Sequence, residues 1–185
     1  MTRFGKRMRA LVLGASIVIV VALLLGLFPA SPLLARVGGR ATAFTLPALA
    51  GGPSRGRFRL ADHLGRNVVA VLFWATWCAP CRQELPVYEA LYRRLRSQGF
   101  VVVAISMDGS STVANAGPMA RRLGLTFPVV SDLDTRVTAQ INSRRAAPFS
   151  IWIDRSGRVV REREGFNLAE RDEVNRGITA LVTRR

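Results

Sequence analysis

The chain has 185 residues, 49% of them apolar and 21% charged, which fits one folded domain plus a further segment and excludes a disordered chain. Its net charge of +15 raises nucleic acid, anionic lipid or an acidic partner as targets. A nucleic-acid role is set aside: Lys6 is the only lysine, the arginines scatter from Arg36 to Arg185, and no RNA- or DNA-binding pattern accompanies them.

At the amino terminus Arg3, Lys6, Arg7 and Arg9 precede an uncharged apolar run of 19 residues, Ala10 to Phe28. A helix crossing a bilayer needs ~20 such residues, whereas a cleaved leader has a core of about 7–15. Ala30 and Ala35 offer poor cleavage sites, since Phe28 and Leu33 occupy their −3 positions. The expected organisation is a basic cytoplasmic tail (1–9), a transmembrane signal-anchor (10–28), a linker (29–40) and an exported domain (41–185). The cationic excess before the span sets the orientation. A cleaved leader would export the same domain. Outside the cytoplasm disulfides form and persist.

Two short strands, "AFTLPAL" and "GRFRL", are expected around the turn residues of "AGGPSR", and "LADHLG" reads as a helical turn ended by Gly65. Val68 to Trp74 is an unbroken β-branched and aromatic run, the pattern of a strand buried on both faces. A helix starts near Cys78 with a buried stripe of Leu85, Tyr88, Leu91 or Tyr92, and Leu95. Phe100 to Ser106 is a second buried strand. "TVANAGPMARRLGL" is a helix with an irregular start, "TFPVVSD" a short strand and "LDTRVTAQIN" a helix. "PFSIWID" and "RVVRERE" form a hairpin through "RSG", and Val174, Ile178, Leu181 and Val182 mark a closing helix. Alternating strands and helices with a terminal hairpin indicate an α/β sandwich with a mixed sheet.

The only cysteines, Cys78 and Cys81, stand where the buried strand gives way to the helix. There the free backbone N–H groups and the helix dipole favour a thiolate, lowering the Cys78 pKa from ~8.5 towards ~7. Cys81, nearly one turn deeper, can attack a mixed disulfide on Cys78 and release the partner. Pro80 suits the first helical turn. Zinc needs four ligands, and the sole histidine, His63, is far off in sequence, so no metal is expected. A bridge closing so small a loop removes little chain entropy, which argues against a purely structural disulfide. The redox centre is the Cys78–Cys81 pair itself, without a cofactor. Pro86, five residues after Cys81, hints at a bend in the helix.

"FWATWCAPCRQELP", with the strand before it and the helix through it, resembles the membrane-anchored TlpA/ResA-like thiol-disulfide oxidoreductases of the thioredoxin superfamily. The resemblance covers about residues 41 to 185, and "AAPFSIWIDRSGRVV" adds a weaker match in which Phe149, Ser150 and Ile151 depart from the family's usual residues. It implies a thioredoxin-like three-layer sandwich with an N-terminal strand pair and a helix-strand insertion between Ser106 and Asp132, preceded by one transmembrane helix. An X-Pro bond is cis in only ~5–6% of cases, so the bare sequence reads Ala147-Pro148 as trans; the resemblance implies cis, beside the dithiol.

The resemblance also implies that Trp77, Ala79, Pro80, Ala147 and Pro148 form the client surface and that Glu84 is an acid/base group taking the proton from Cys81. Thioredoxin places an aspartate at the position of Leu72, which cannot serve. The implied activity is reduction of protein disulfides, with electrons from a CcdA/DsbD-type membrane donor and apocytochrome c or copper-site cysteines as clients. The rivals are a disulfide-forming oxidase, a peroxiredoxin-like peroxidase and a copper-delivery module. A peroxidase would carry threonine three residues before the reactive cysteine, where Ala75 stands; copper delivery would want Cys-x3-Cys and a distal histidine.

Overall fold

The computed structural model describes residues 37–51 and 56–184. They belong to one compact unit, Leu34–Arg185. The expected transmembrane segment at 10–28 lies outside the described residues, among which no helix is long and apolar enough to cross a membrane.

Seven strands form one sheet: β1 (Thr45–Ala50), β2 (Arg57–Arg59), β3 (Val68–Trp74), β4 (Phe100–Ser106), β5 (Val129–Ser131), β6 (Phe149–Ile153) and β7 (Val159–Glu164). Among the described residues four α-helices accompany them: α1 (Ala79–Leu95), α2 (Ala116–Arg122), α3 (Arg136–Ile141) and α4 (Arg171–Thr183). The strand order is β2-β1-β5-β4-β3-β6-β7. β3, β4 and β5 run parallel, while β6, β7, β1 and β2 are joined antiparallel.

β3 alternates its side chains between two cores, as a strand with period two must. Val68, Ala70, Leu72 and Trp74 face one cluster with Leu85, Tyr88 and Leu91 of α1, Ala120 of α2, and Val174 and Ile178 of α4. Val69, Val71 and Phe73 face the other, with Val137 and Ile141 of α3, Phe44 and Phe58. Burying each such aliphatic or aromatic side chain contributes about 1.5–3 kcal/mol, which explains why this run admits no polar residue. The result is a three-layer sandwich with a mixed central sheet.

Residues at the end of the expected linker already dock on the domain. Gly38 N–H donates to the Val159 carbonyl (2.7 Å), Val159 N–H to the Gly39 carbonyl (2.9 Å) and Ala41 N–H to the Gly157 carbonyl (2.9 Å). Backbone pairing to the start of β7 therefore begins before residue 41. α2 is shorter than the pattern suggests because Val113–Asn115 is a 3-10 turn leading into it.

One close approach matters for the site. A Cβ on Gly177 of α4 would lie 2.6 Å from the Trp152 ring, so only glycine lets α4 sit directly on that indole. Trp152 in turn donates from Nε1 to the Tyr88 hydroxyl of α1 (2.9 Å), joining β6 to the helix that carries the cysteines.

Candidate active site

The carboxyl ends of β3 and β4 and the start of β6 meet at one edge of the sheet, with Trp74 opposite Ser106 and Phe73 opposite Phe149. Open α/β sheets place ligands outside the carboxyl ends of their parallel strands. β3 runs into "ATWC", and Cys78 caps α1 with its sulfur accepting the Cys81 N–H at 3.2 Å. A sulfur at an amino-terminal cap meets otherwise unpaired donors and the positive end of the dipole, and both favour its anionic form. The two cysteines are joined in a disulfide with Cα atoms 5.3 Å apart. Cys78 is 4% exposed and Cys81 fully buried, so of the two only Cys78 retains any exposure.

The "ATW" loop is clamped by Asp108, which follows β4. Its buried carboxylate accepts from the Thr76 N–H (3.0 Å) and the Thr76 hydroxyl (2.6 Å), and from Ser106 Oγ (2.8 Å). This holds Thr76 two residues before the cap and leaves Trp77, 63% exposed, projecting beside Cys78. Ala79 and Pro80 are also exposed.

The loop before β6 reaches the same edge of the sheet. The Ala147-Pro148 bond is cis. Asn142 clasps this loop: its Nδ2 donates to the Ala146 carbonyl (2.7 Å) and its Oδ1 accepts the Ala146 N–H (3.0 Å). Ala147 is half-buried and packs on the cluster that contains Cys78 and Cys81.

Behind the cysteines Glu84 is 1% exposed, and its Oε2 has no hydrogen-bond partner among the described residues. Burial pushes its carboxyl up from an ordinary value of 4.5 to about 8; the Arg163 guanidinium opposes that rise and Glu170 adds to it. Such a carboxyl holds a proton through neutral pH and can exchange it near pH 8. One turn on, Tyr88 is fully buried and its phenol is pushed higher, by burial and then by the Glu84 charge. Among the described residues no group of three or more His, Cys, Asp or Glu side chains could hold a metal ion.

A cap cysteine, a buried second cysteine and a cis-proline at the same sheet edge together fit a dithiol exchange site, and the chain matches known proteins accordingly. The model of the AhpC/TSA family matches residues 37–163. A thiol-disulfide oxidoreductase ResA from Halalkalibacterium halodurans is 31% identical over 132 residues, 71% of this chain and 70% of the relative. The chain belongs to the ResA-like branch of the thioredoxin superfamily. The ResA of Geobacillus thermodenitrificans is 34% identical over 125 residues, and the matched part spans 66% of that relative's length. Among solved structures, a Chlorobium tepidum protein described as a thiol:disulfide interchange protein DsbE superposes with a TM-score of 0.70. It is 30% identical, over 80% of this chain and 98% of its own.

The ResA-like fold brings seven of the expected site residues to this edge or the first turn of α1: Cys78, Cys81, Trp77, Ala79, Pro80, Ala147 and Pro148. Glu84 lies behind them in the core. Pro86 stands inside α1, which continues as helix to Leu95. Asp108, Asn142 and Arg163 were not singled out from the sequence. Asp108-Gly109 reads as ordinary turn chemistry and Asn142 as a helix end. Arg163 reads as one more exposed arginine in an alternating strand.

Proposed function

We propose that the chain is an extracytoplasmic protein-disulfide reductase, anchored by residues 10–28, that works by dithiol exchange through Cys78 and Cys81. The single observation that carries this reading is the Cys78 sulfur at the α1 cap with a wholly buried sulfur three residues behind it. The Cys78 thiolate attacks a client disulfide, forming a Cys78–client bond while the client's S–S bond breaks and its second sulfur leaves as a thiolate. Cys81 then passes its proton to the Glu84 carboxylate and its thiolate attacks Cys78. The Cys78–Cys81 bond forms and the other client sulfur is released. The client gains two electrons and the dithiol loses them.

Trp77, Ala79, Pro80, Ala147 and Pro148 make the groove in which the client backbone lies, with Trp77 as its exposed apolar wall. Ala79 and Pro80 place no cation between the cysteines, so the reduction potential belongs nearer thioredoxin (~−270 mV) than the oxidant DsbA (~−120 mV). A CcdA/DsbD-type membrane protein would return electrons to the dithiol, and apocytochrome c or copper-site cysteines are clients of suitable chemistry. The oxidase alternative uses the same atoms at a much higher potential. Peroxide reduction, which the AhpC/TSA match brings into view, lacks its threonine at Ala75.

Replacing Cys81 with alanine in cells tests the reading. Envelope proteins should be trapped on Cys78 through a bond that a reductant cleaves; no trapped protein would refute exchange. Equilibration with glutathione separates the directions, since a potential near −120 mV would make the protein an oxidase.

A further inference from the structure

The buried face behind the dithiol holds a charge that neither the cysteine motif nor the cis-proline accounts for. β6 and β7 pair so that Ser150 lies opposite Arg163 and Trp152 opposite Arg161. Ser150 and Trp152 point to the α1 side, where Ser150 Oγ lies 3.5 Å from the Tyr88 hydroxyl and Trp152 Nε1 bonds the same oxygen. Directly opposite partners share a face of the sheet, so Arg163 is carried to that side too. Its guanidinium carbon sits 6.0 Å from the centre of the Trp152 ring.

The Arg163 side chain is only 9% exposed and is gripped by two carboxylates, Glu170 at 2.5 Å and Glu173 at 2.9 Å. Those bonds use its two terminal nitrogens. The remaining Nε is buried with no partner among the described residues, as is Oε2 of Glu84. A buried donor and a buried acceptor thus stand unpaired in the same layer. Buried guanidinium is costly unless it offsets a charge, and Glu170 and Glu173 alone would suffice to pin β7 to α4 at the surface.

Building on the exchange reading above, we propose that Arg163 is a positioning residue for proton transfer: its guanidinium, held by Glu170 and Glu173, favours the ionised Glu84 that receives the Cys81 proton. The step itself is unchanged. The proton leaves Cys81 Sγ for a Glu84 oxygen, the thiolate attacks Cys78 and the client sulfur departs. Arg163 sets the fraction of molecules in which Glu84 is an open acceptor. Around Glu84, Cys81 and Tyr88 stand three residues before and four after it on one face of α1. Ser150 and Trp152 of β6 reach the Tyr88 hydroxyl, and Arg163 of β7 and Glu170 in the turn before α4 act on its carboxyl through their charge. Glu173 and Arg161 form the layer outside them.

Two opposed variants test this. The reduced full chain is mixed with Ellman's reagent, whose first thiolate is released by Cys78 and whose second is released, independently of reagent concentration, by Cys81. The rate of the second phase is followed from pH 5 to 10. In the wild type it should rise through an inflection set by Glu84. Arg163→Gln should move the inflection up by at least about one pH unit and slow the phase on the order of tenfold at pH 7. Glu170→Gln removes a like charge and leaves Arg163 less neutralised, so it should move the inflection down. Arg163→Lys should restore most of the wild-type profile.

Arg163 as a mere tether predicts lower thermal stability with the inflection in place, and that result overturns the proposal. Should Arg163→Gln not fold, Glu170→Gln decides alone: an unmoved or raised inflection overturns it. Glu84→Gln separates the two levels. If it keeps the wild-type inflection, the Glu84 role itself is wrong. If it loses the inflection while the Arg163 and Glu170 variants do not move it, only the present inference is wrong.

Discussion

Glu84 and Glu89 stand five residues apart on α1, and both are buried. Glu89 is satisfied: it accepts from Arg93 Nε (2.5 Å), the Thr126 hydroxyl (2.7 Å) and the Thr126 N–H (2.8 Å). Burial pushes its carboxyl up, but the bonds from Arg93 and Thr126 together outweigh that and hold it below 4.5. Glu84 has burial without those bonds and is pushed to about 8. Burial alone therefore does not decide the state of a carboxylate. Glu84 is also the more deeply buried of the two, so depth and the donors aimed at a carboxyl act together. Glu89 fastens the helix to the segment before β5, whereas no donor among the described residues holds Oε2 of Glu84.

Exchanging the two roles gives the largest effect. Glu84→Gln should slow the resolving phase by on the order of 10² or more, the usual contribution of a positioned proton acceptor, while Glu89→Gln should leave it within a factor of about two. Stopped-flow release of the second thiolate reads both. If Glu89→Gln slows it as much, the contrast is lost.

Stability should show the reverse order. Glu89→Ala removes three accepted bonds and strands the Thr126 N–H, which should cost about 2–3 kcal/mol, seen as a lower urea midpoint at unchanged slope.

Gly177→Ala probes the support beneath Tyr88 instead. Its methyl would collide with the Trp152 ring, and a loss of about 1–3 kcal/mol is expected. Near-ultraviolet circular dichroism should report the displaced indole.

The effect that is sharpest in sign is on pH dependence. Glu84 binds its proton more tightly folded than unfolded, so its contribution is fully present below about 4.5 and is lost as pH rises towards about 8. Glu89 binds its proton less tightly folded, so its contribution is present above about 4.5 and is lost on acidification. Urea midpoints against pH for Glu84→Gln and Glu89→Gln should therefore deviate from the wild type with opposite slopes. Parallel curves would dissolve the distinction.

Much of the architecture can be read directly from the chain. β3 and β4 occupy the stretches that their apolar runs mark, because a strand covered on both faces favours apolar residues in both parities; Ser106, at the end of β4, is tolerated where it bonds Asp108. The stripe of Leu85, Tyr88 and Leu91 sets the buried side of α1 in the same way, and Glu84, three residues after Cys81 and one before Leu85, shares that side. The clamps are less visible. Asp108 meets Thr76 across 32 residues of sequence, and Asn142 recognises backbone rather than a side chain. Neither contact leaves a periodic trace.

Arg163 shows the limit most clearly. Val159 is buried in the cluster that holds Val69, Val71 and Phe73, and strict alternation from it would send Arg161 and Arg163 to that same side. Instead the register shifts between Trp152 and Ile153: Val159 pairs with Ile153 but Arg161 with Trp152, so one extra residue in β7 turns the rest of the strand over. A one-residue slip changes every later side chain's face. The sequence by itself determined the dithiol, its place between strand and helix, and the side of α1 that carries Glu84, because each depends on short-range spacing. Only the tertiary structure decided which cation and which carboxylates surround Glu84, because that depends on a bulge in one strand and on the helix packed over its partner.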